Sequence, residues 1–179
     1  IPFGLASIAL GLIIGIPLGA LMAVRKGKLT DKAGNAYIVF INAVPAAVYY
    51  LFIQLYASDL FSLPILYDSY EPVSWVLPVI SMSLGGIASY AMWTRRYILD
   101  QMTKDYVSFA RAKGVKDVTL MYGHVLRNAL VPMAQNLPAN ILLTISGSIY
   151  IESLYSIPGM GNLLLTAINK QDNPLVQAL

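Results

Sequence analysis

The chain has 179 residues, of which 57% are apolar and only 12% charged, with a net charge of +3, no cysteine and one histidine. A soluble domain carries about 25% charged residues, so this composition excludes an ordinary soluble enzyme and points to a membrane protein. Disorder is excluded by the high hydrophobicity, a disulfide scaffold or thiolate metal site by the missing cysteines, and a multi-histidine metal site by the single His124.

Four stretches carry no Asp, Glu, Lys or Arg: residues 1–24, 33–58, 72–94 and 128–151. About 20 apolar helical residues cross a bilayer core, so spans are expected at about 1–24, 34–57, 73–94 and 129–151. The first does not read as a signal peptide, because it is too long and its positive charges follow it. Within it, Ser7, Gly11, Gly15 and Gly19 form a stripe of small residues at four-residue spacing. Such a stripe allows close helix approach, for packing or as a sliding face.

Basic residues follow the first span (Arg25, Lys26, Lys28, Lys32) and fill the segment after the third (Arg95, Arg96, Lys104, Arg111, Lys113, Lys116, Arg127). Eleven of the 12 thus fall on one side, with only Lys170 on the other. The positive-inside rule makes both basic loops cytoplasmic. The second span holds Asn42 and Gln54, and the third Ser81 and Ser83. In the fourth, Pro132, Asn136, Asn140, Thr144 and Ser148 recur every four residues. A polar ladder in a bilayer must face protein or water, so it lines a translocation path or forms hydrogen bonds between helices. Pro17, Pro45, Pro78, Pro132 and Pro138 break helical hydrogen bonding in or near spans, which neighbouring helices or water must compensate. No ionisable side chain lies deep in a span, which disfavours a proton- or sodium-coupled carrier.

Residues 95–127 form a long connection. Tyr97, Ile98, Met102, Tyr106, Phe109 and Ala110 have helical spacing, so we expect a helix continuing from the membrane, a break at Gly114, and a second helix from Asp117 toward His124. This segment is either a docking surface for a soluble partner or a helix lying on an anionic inner leaflet. Residues 153–169 are too short and too broken by Pro158, Gly159 and Gly161 to span, and read as a loop leading into a short interfacial or re-entrant helix. Pro174 to Leu179 reads as the start of a further span. With an Ile at position 1, inside an apolar run, the chain is expected to be a fragment of a longer membrane protein.

Asp105-Tyr106-Val107-Ser108-Phe109-Ala110-Arg111-Ala112-Lys113-Gly114 and Leu126-Arg127-Asn128-Ala129-Leu130-Val131-Pro132 closely resemble the cytoplasmic signature of ABC-importer permeases of the oligopeptide/dipeptide/nickel type. Ile151-Glu152-Ser153-Leu154-Tyr155-Ser156-Ile157-Pro158-Gly159-Met160-Gly161 and Asp172-Asn173-Pro174-Leu175-Val176-Gln177 resemble the same family's segment before its last span. Pro17-Leu18-Gly19, the basic turn and Asp31 also fit. Ser108-Phe109 stand where Glu-Ala is usual, and His124-Val125-Leu126-Arg127 replace Ile-x-Leu-Pro, as in the peptide branch.

The resemblance implies an all-α polytopic membrane helix bundle, the ABC importer type I transmembrane domain. The whole subunit would have six spans, of which this fragment holds four and the start of another. It implies a pore-forming permease in a prokaryotic inner (cytoplasmic) membrane, the first of two paired permeases, importing oligopeptides or dipeptides; nickel or another small cargo is the alternative. The subunit would have no enzymatic activity and no cofactor of its own, with ATP and Mg on separate ATP-binding cassette subunits. Further partners would be a second related permease, an extracytoplasmic substrate-binding protein and the lipid bilayer, but no nucleic acid. Tyr106, Phe109, Ala110, Arg111, Ala112, Lys113 and Gly114 would form the ATPase-coupling loop, with Arg111 and Lys113 facing acidic groups. Apart from the resemblance, the polar residues of the spans make Asn42, Ser81, Asn136, Asn140, Thr144 and Ser148 the translocation-path candidates, with packing between helices as the alternative. The sequence contains no G-x-x-x-x-G-K-[ST] phosphate loop, in keeping with an ATPase on other chains. From other classes, a secondary transporter or channel and a non-transporting membrane scaffold stay open on composition alone.

Overall fold

The computed structural model describes residues 1–143 and 148–179. Among these the secondary structure is helical, without strands: α1 (Pro2–Val24), α2 (Leu29–Ala43), α3 (Ala46–Phe52), α4 (Ser58–Phe61), α5 (Val76–Met102), α6 (Asp105–Ala112), α7 (Asp117–Leu120), α8 (Leu126–Leu143), α9 (Ile149–Leu154), α10 (Met160–Asn169) and α11 (Asn173–Ala178). One-turn π-helical segments, Ile53–Ala57 and Met121–Val125, join α3 to α4 and α7 to α8, and a 3-10 turn, Pro72–Trp75, leads into α5.

Among the described residues two helices are long and apolar enough to cross a membrane: α1 and the continuous segment Pro72–Met102. The second expected span is not straight. Leu29–Ala43 and Ala46–Phe61 meet at 106° and pass the same test only as a pair. The bend falls at Pro45, whose backbone is extended (φ −55°, ψ 134°). Proline lacks the amide that would continue the helix and drives the preceding residue out of helical geometry. The fourth expected span also differs from a continuous helix. α8 is described as far as Leu143, and Ser148 is an extended residue (φ −129°, ψ 107°) that caps α9. Many large apolar side chains point outward, among them Ile13, Val39, Phe40 and Phe52. Such exposure is unsuited to water and suited to lipid or another subunit.

The chain divides into two compact units. One comprises residues 1–9, 44–84 and 139–179. Its core is Leu77, Ile151, Tyr155 and Ile157, flanked by Phe3, Tyr50, Ile53, Leu63 and Tyr67. Phe3 stacks on Trp75 with 4.4 Å between ring centroids and meets the edge of Tyr67 at 5.3 Å. The buried Gln54 amide donates to the carbonyls of Leu154 (2.7 Å) and Ile65 (3.2 Å), tying its own segment to one 100 residues further on and to the nearby loop.

The other unit comprises residues 10–43 and 85–138. Here the small-residue stripe of α1 lies directly on α5. A Cβ on Gly15 would sit 2.8 Å from the Ile87 carbonyl oxygen, and one on Gly19 would overlap the Ala91 carbonyl. Removing both side chains lets the two backbones touch, the packing solution available to helices that gain nothing from expelling lipid. A second close approach sets Gly34 of α2 against the Met22 thioether. Ala23 of α1 and Ile98 of α5 join Val107, Leu120, Val125 and Ala129 to form the core, closed by Tyr97, Met102, Tyr106 and Ala110.

Candidate functional site

The segment after α5 folds as a bracket held by local hydrogen bonds. The expected unbroken continuation of the α5 helix stops at Met102, where the Thr103 hydroxyl donates to the Asp100 carbonyl at 2.8 Å. Lys104 is extended, and α6 starts at Asp105. An acidic first turn and Arg111 in the last turn both suit the helix dipole of α6. The helix ends in a Schellman motif. Val115 N–H donates to Ala110 at 3.1 Å and Gly114 N–H to Arg111 at 2.9 Å, with Gly114 at φ +77°. Only glycine adopts that conformation at little cost, which is why the break falls there. After it, α7 starts at Asp117, whose carboxylate pairs with Arg111 Nε at 3.2 Å on the exposed surface.

The seven residues implied by the resemblance divide by orientation. Tyr106 and Ala110 pack on the core beside the fully buried Val107, and the Tyr106 hydroxyl donates to Gln101 at 3.0 Å. Phe109, Arg111, Ala112, Lys113 and Gly114 are exposed. A benzyl group left 68% exposed on a short helix is an apolar handle for another protein or a membrane. Sequence reasoning missed two companions, Val118 and Tyr122, 69% and 63% exposed. They help line a groove of about 320 Å³ whose floor is Val107, Leu120 and Val125. Their signal was present as an apolar pair four residues apart, but it stood outside the matched motif.

A second constellation lies at the start of this segment. Asp31, the one acid among the basic residues after α1, is buried and receives both Nε (2.6 Å) and Nη2 (3.0 Å) of Arg95. Arg95 and then the Gly27 amide hold its carboxyl at about 2, well below the usual 3.8. Asp31 precedes the charge-free run 33–58. The carboxylate therefore stays ionised at neutral pH.

The translocation-path candidates differ in their surroundings. Ser81 is fully buried and hydrogen-bonded at 2.8 Å to the Tyr155 hydroxyl, which ties its side chain into the packing around Tyr155. Asn42 is exposed near the end of α2. Asn136 is exposed on α8, its amide donating to the Pro132 carbonyl at 3.0 Å, and Asn140 is half-buried on the same helix. Ser148 does not extend that helical face, because it accepts from Ile151 N–H as the cap of α9. Thr144 lies outside the described residues. Among the described residues no three His, Asp or Glu side chains gather as metal ligands.

The turn Ile157–Gly161 is built around Glu152. Its carboxylate accepts from Asn162 N–H at 3.1 Å at the start of α10, where a negative charge suits the helix dipole. A Cβ on Gly159 would overlap that carboxylate, and one on Gly161 would lie 2.7 Å from Ile149 Cα. The glycines of the second motif thus serve close packing.

Residues 15–179 match the family of binding-protein-dependent transport system inner membrane components. The chain is 32% identical to the oligopeptide transport system permease protein AmiC of Streptococcus pneumoniae, over 98% of this chain and 36% of that protein. It is 35% identical to the metal-staphylopine import system permease protein CntB of Staphylococcus aureus (93% and 53%), and 32% identical to the dipeptide transport system permease protein DppB of Bacillus subtilis (97% and 56%). The chain therefore spans about a third to a half of the length of these curated relatives. With apolar helices of membrane length, a glycine-seamed helix pair and a match over nearly its whole length, this chain belongs to the family of binding-protein-dependent transport system inner membrane components.

Proposed function

We propose that the chain is part of a permease subunit of an ATP-driven importer, and that residues 95–127 form its cytoplasmic docking site for an ATPase. The observation that carries this is the bracket of α6, the Gly114 turn and α7. It is fixed from below by Val107 and Leu120 and presents Phe109, Arg111, Lys113, Val118 and Tyr122 outward. A rigid base with an apolar handle beside basic groups suits an acidic-rimmed apolar cleft on a soluble partner. A helix lying on lipid would bury Phe109 without needing a fixed turn. With 11 of 12 basic residues in the two loops of one side, that side is cytoplasmic.

On this reading the subunit hydrolyses nothing itself. ATP and Mg bind the ATPase partners, a second related permease completes the pore, and an extracytoplasmic binding protein delivers the cargo to the opposite side. The names of the relatives support peptides as first cargo, with a metal chelate as the second class. Asn136 and Asn140 are the path-lining candidates that the geometry of α8 leaves in place. The test is to purify the full-length subunit from its native membrane and assay for a co-purifying ATPase. Its turnover should rise with a substrate-loaded binding protein. A preparation that transports cargo with no such partner would refute the reading.

A further inference from the structure

The Asp31 carboxylate closes a junction between three segments. Its Oδ1 accepts from Arg95 Nε (2.6 Å) and Asn35 Nδ2 (3.0 Å), and its Oδ2 from Arg95 Nη2 (3.0 Å) and Gly27 N–H (2.8 Å). Gly27 belongs to the turn between α1 and α2, Asn35 to α2 and Arg95 to α5. A carboxylate with its acceptor sites this fully used, paired with a two-pronged guanidinium, fixes direction as well as distance.

The turn it pins would otherwise be a weak joint. Gly27 has φ +78° with nothing within 4 Å of its Cβ position, and Arg25, Lys26, Lys28 and Lys32 crowd like charges around it. On the other side of the junction, α1 and α5 are already locked by the Gly15 and Gly19 contacts. α5 continues only seven residues past Arg95 before turning into α6, about 10 Å of helix. A displacement entering at α6 therefore reaches Arg95 through the two-residue link 103–104 and the last two turns of α5.

We propose that Asp31 is a positioning residue that makes α5, the α1–α2 turn and the start of α2 move as one body when α6 is displaced. Without it the glycine turn absorbs the displacement and α2 is left behind. The source of the displacement rests on the docking function proposed above, whereas the junction itself does not.

The experiment uses the full-length subunit in its assembled transporter, reconstituted in nanodiscs and proteoliposomes. Asp31→Asn keeps the side-chain shape but removes the charge, and Arg95→Lys keeps the charge but removes the fork. In Asp31→Asn, complex yield and substrate-stimulated ATP hydrolysis should stay within about twofold of wild type. Substrate moved per ATP should fall by about fivefold or more, with Arg95→Lys intermediate. Spin labels on cysteines introduced at the exposed positions 32 and 100 should give a narrow distance distribution that broadens in Asp31→Asn. Unchanged transport per ATP overturns the proposal, as does a loss of hydrolysis and transport by the same factor together with complex yield. If the wild-type complex shows no substrate-stimulated hydrolysis, it is the docking reading that fails. The label distribution then decides the junction, and an unchanged width overturns it.

Discussion

The hydroxyls of Ser81 and Tyr155, 74 residues apart in the chain, share a hydrogen bond of 2.8 Å in a fully buried setting. Removing either one strands the other. Tyr155→Phe and Ser81→Ala should each destabilise the protein by about 1–2 kcal/mol. The double variant should cost less than the sum of the two, because it leaves no orphan hydroxyl. Thermal unfolding of the purified subunit in detergent measures all three. Cargo preference should not change in Ser81→Ala, since the hydroxyl is engaged by Tyr155.

The α1–α5 seam makes a contrasting pair of predictions. A Cβ at Gly15 would meet Ile87 backbone and Tyr90 Cβ at 2.8 Å, so Gly15→Val forces the helices apart. The expected cost is about 1–3 kcal/mol, the usual penalty of overpacking, read as a lower unfolding temperature. Gly123, in the π-helical turn before α8, has nothing within 4 Å. Gly123→Ala should be neutral or stabilising by up to about 1 kcal/mol. Equal effects at the two glycines would contradict the packing described.

Glu152 offers a third test, confined to one helix. Its charge sits at the N-terminus of α10 and accepts from Asn162 N–H. Glu152→Gln keeps an acceptor but removes the charge, a loss of about 0.5–2 kcal/mol. Amides in the first turn of α10 should then exchange with solvent about 2- to 30-fold faster, since 1.4 kcal/mol is one decade. Gly159→Ala should act in the same direction by pushing the carboxylate away. The backbone there is extended (φ −162°), so the effect is steric and not conformational.

What the sequence made legible was governed by local rules. The α1 glycine stripe and the Gly114 break each follow from spacing along one segment. The bracket surface was half legible: Phe109 and Arg111 lay inside a motif, whereas Val118 and Tyr122 become a surface only once α7 is folded. Interactions across the chain were not legible. Ser81 looked like a polar face until Tyr155 supplied its partner. Asp31 looked like part of a basic turn until Arg95 reached it from α5. Helix ends hid for another reason: Ser62, Ser156 and Gln171 take positive φ without being glycine, so the usual composition signal for a helix stop was missing. The ladder from Pro132 to Ser148 assumed a single helix, and Ser148 instead begins a new one.

Gly114 separates folding from docking. Its φ of +77° penalises any side chain, and nothing lies within 4 Å of its Cβ position. Gly114→Ala and Gly114→Trp should therefore cost the fold a similar amount, about 1–2 kcal/mol for an L-residue held in the left-handed region. Gly114→Asn should cost less, because asparagine tolerates that region. Their effects on partner binding should diverge. The alanine and asparagine variants should retain the co-purifying ATPase. In Gly114→Trp the indole projects from the tip of the exposed turn and should abolish co-purification and transport while membrane insertion persists. The measurement is ATPase recovered per subunit, normalised to each variant's unfolding temperature. If the tryptophan and alanine variants recover the same ATPase, the turn lies outside the interface and the docking surface has to be sought around Phe109 and Tyr122 alone.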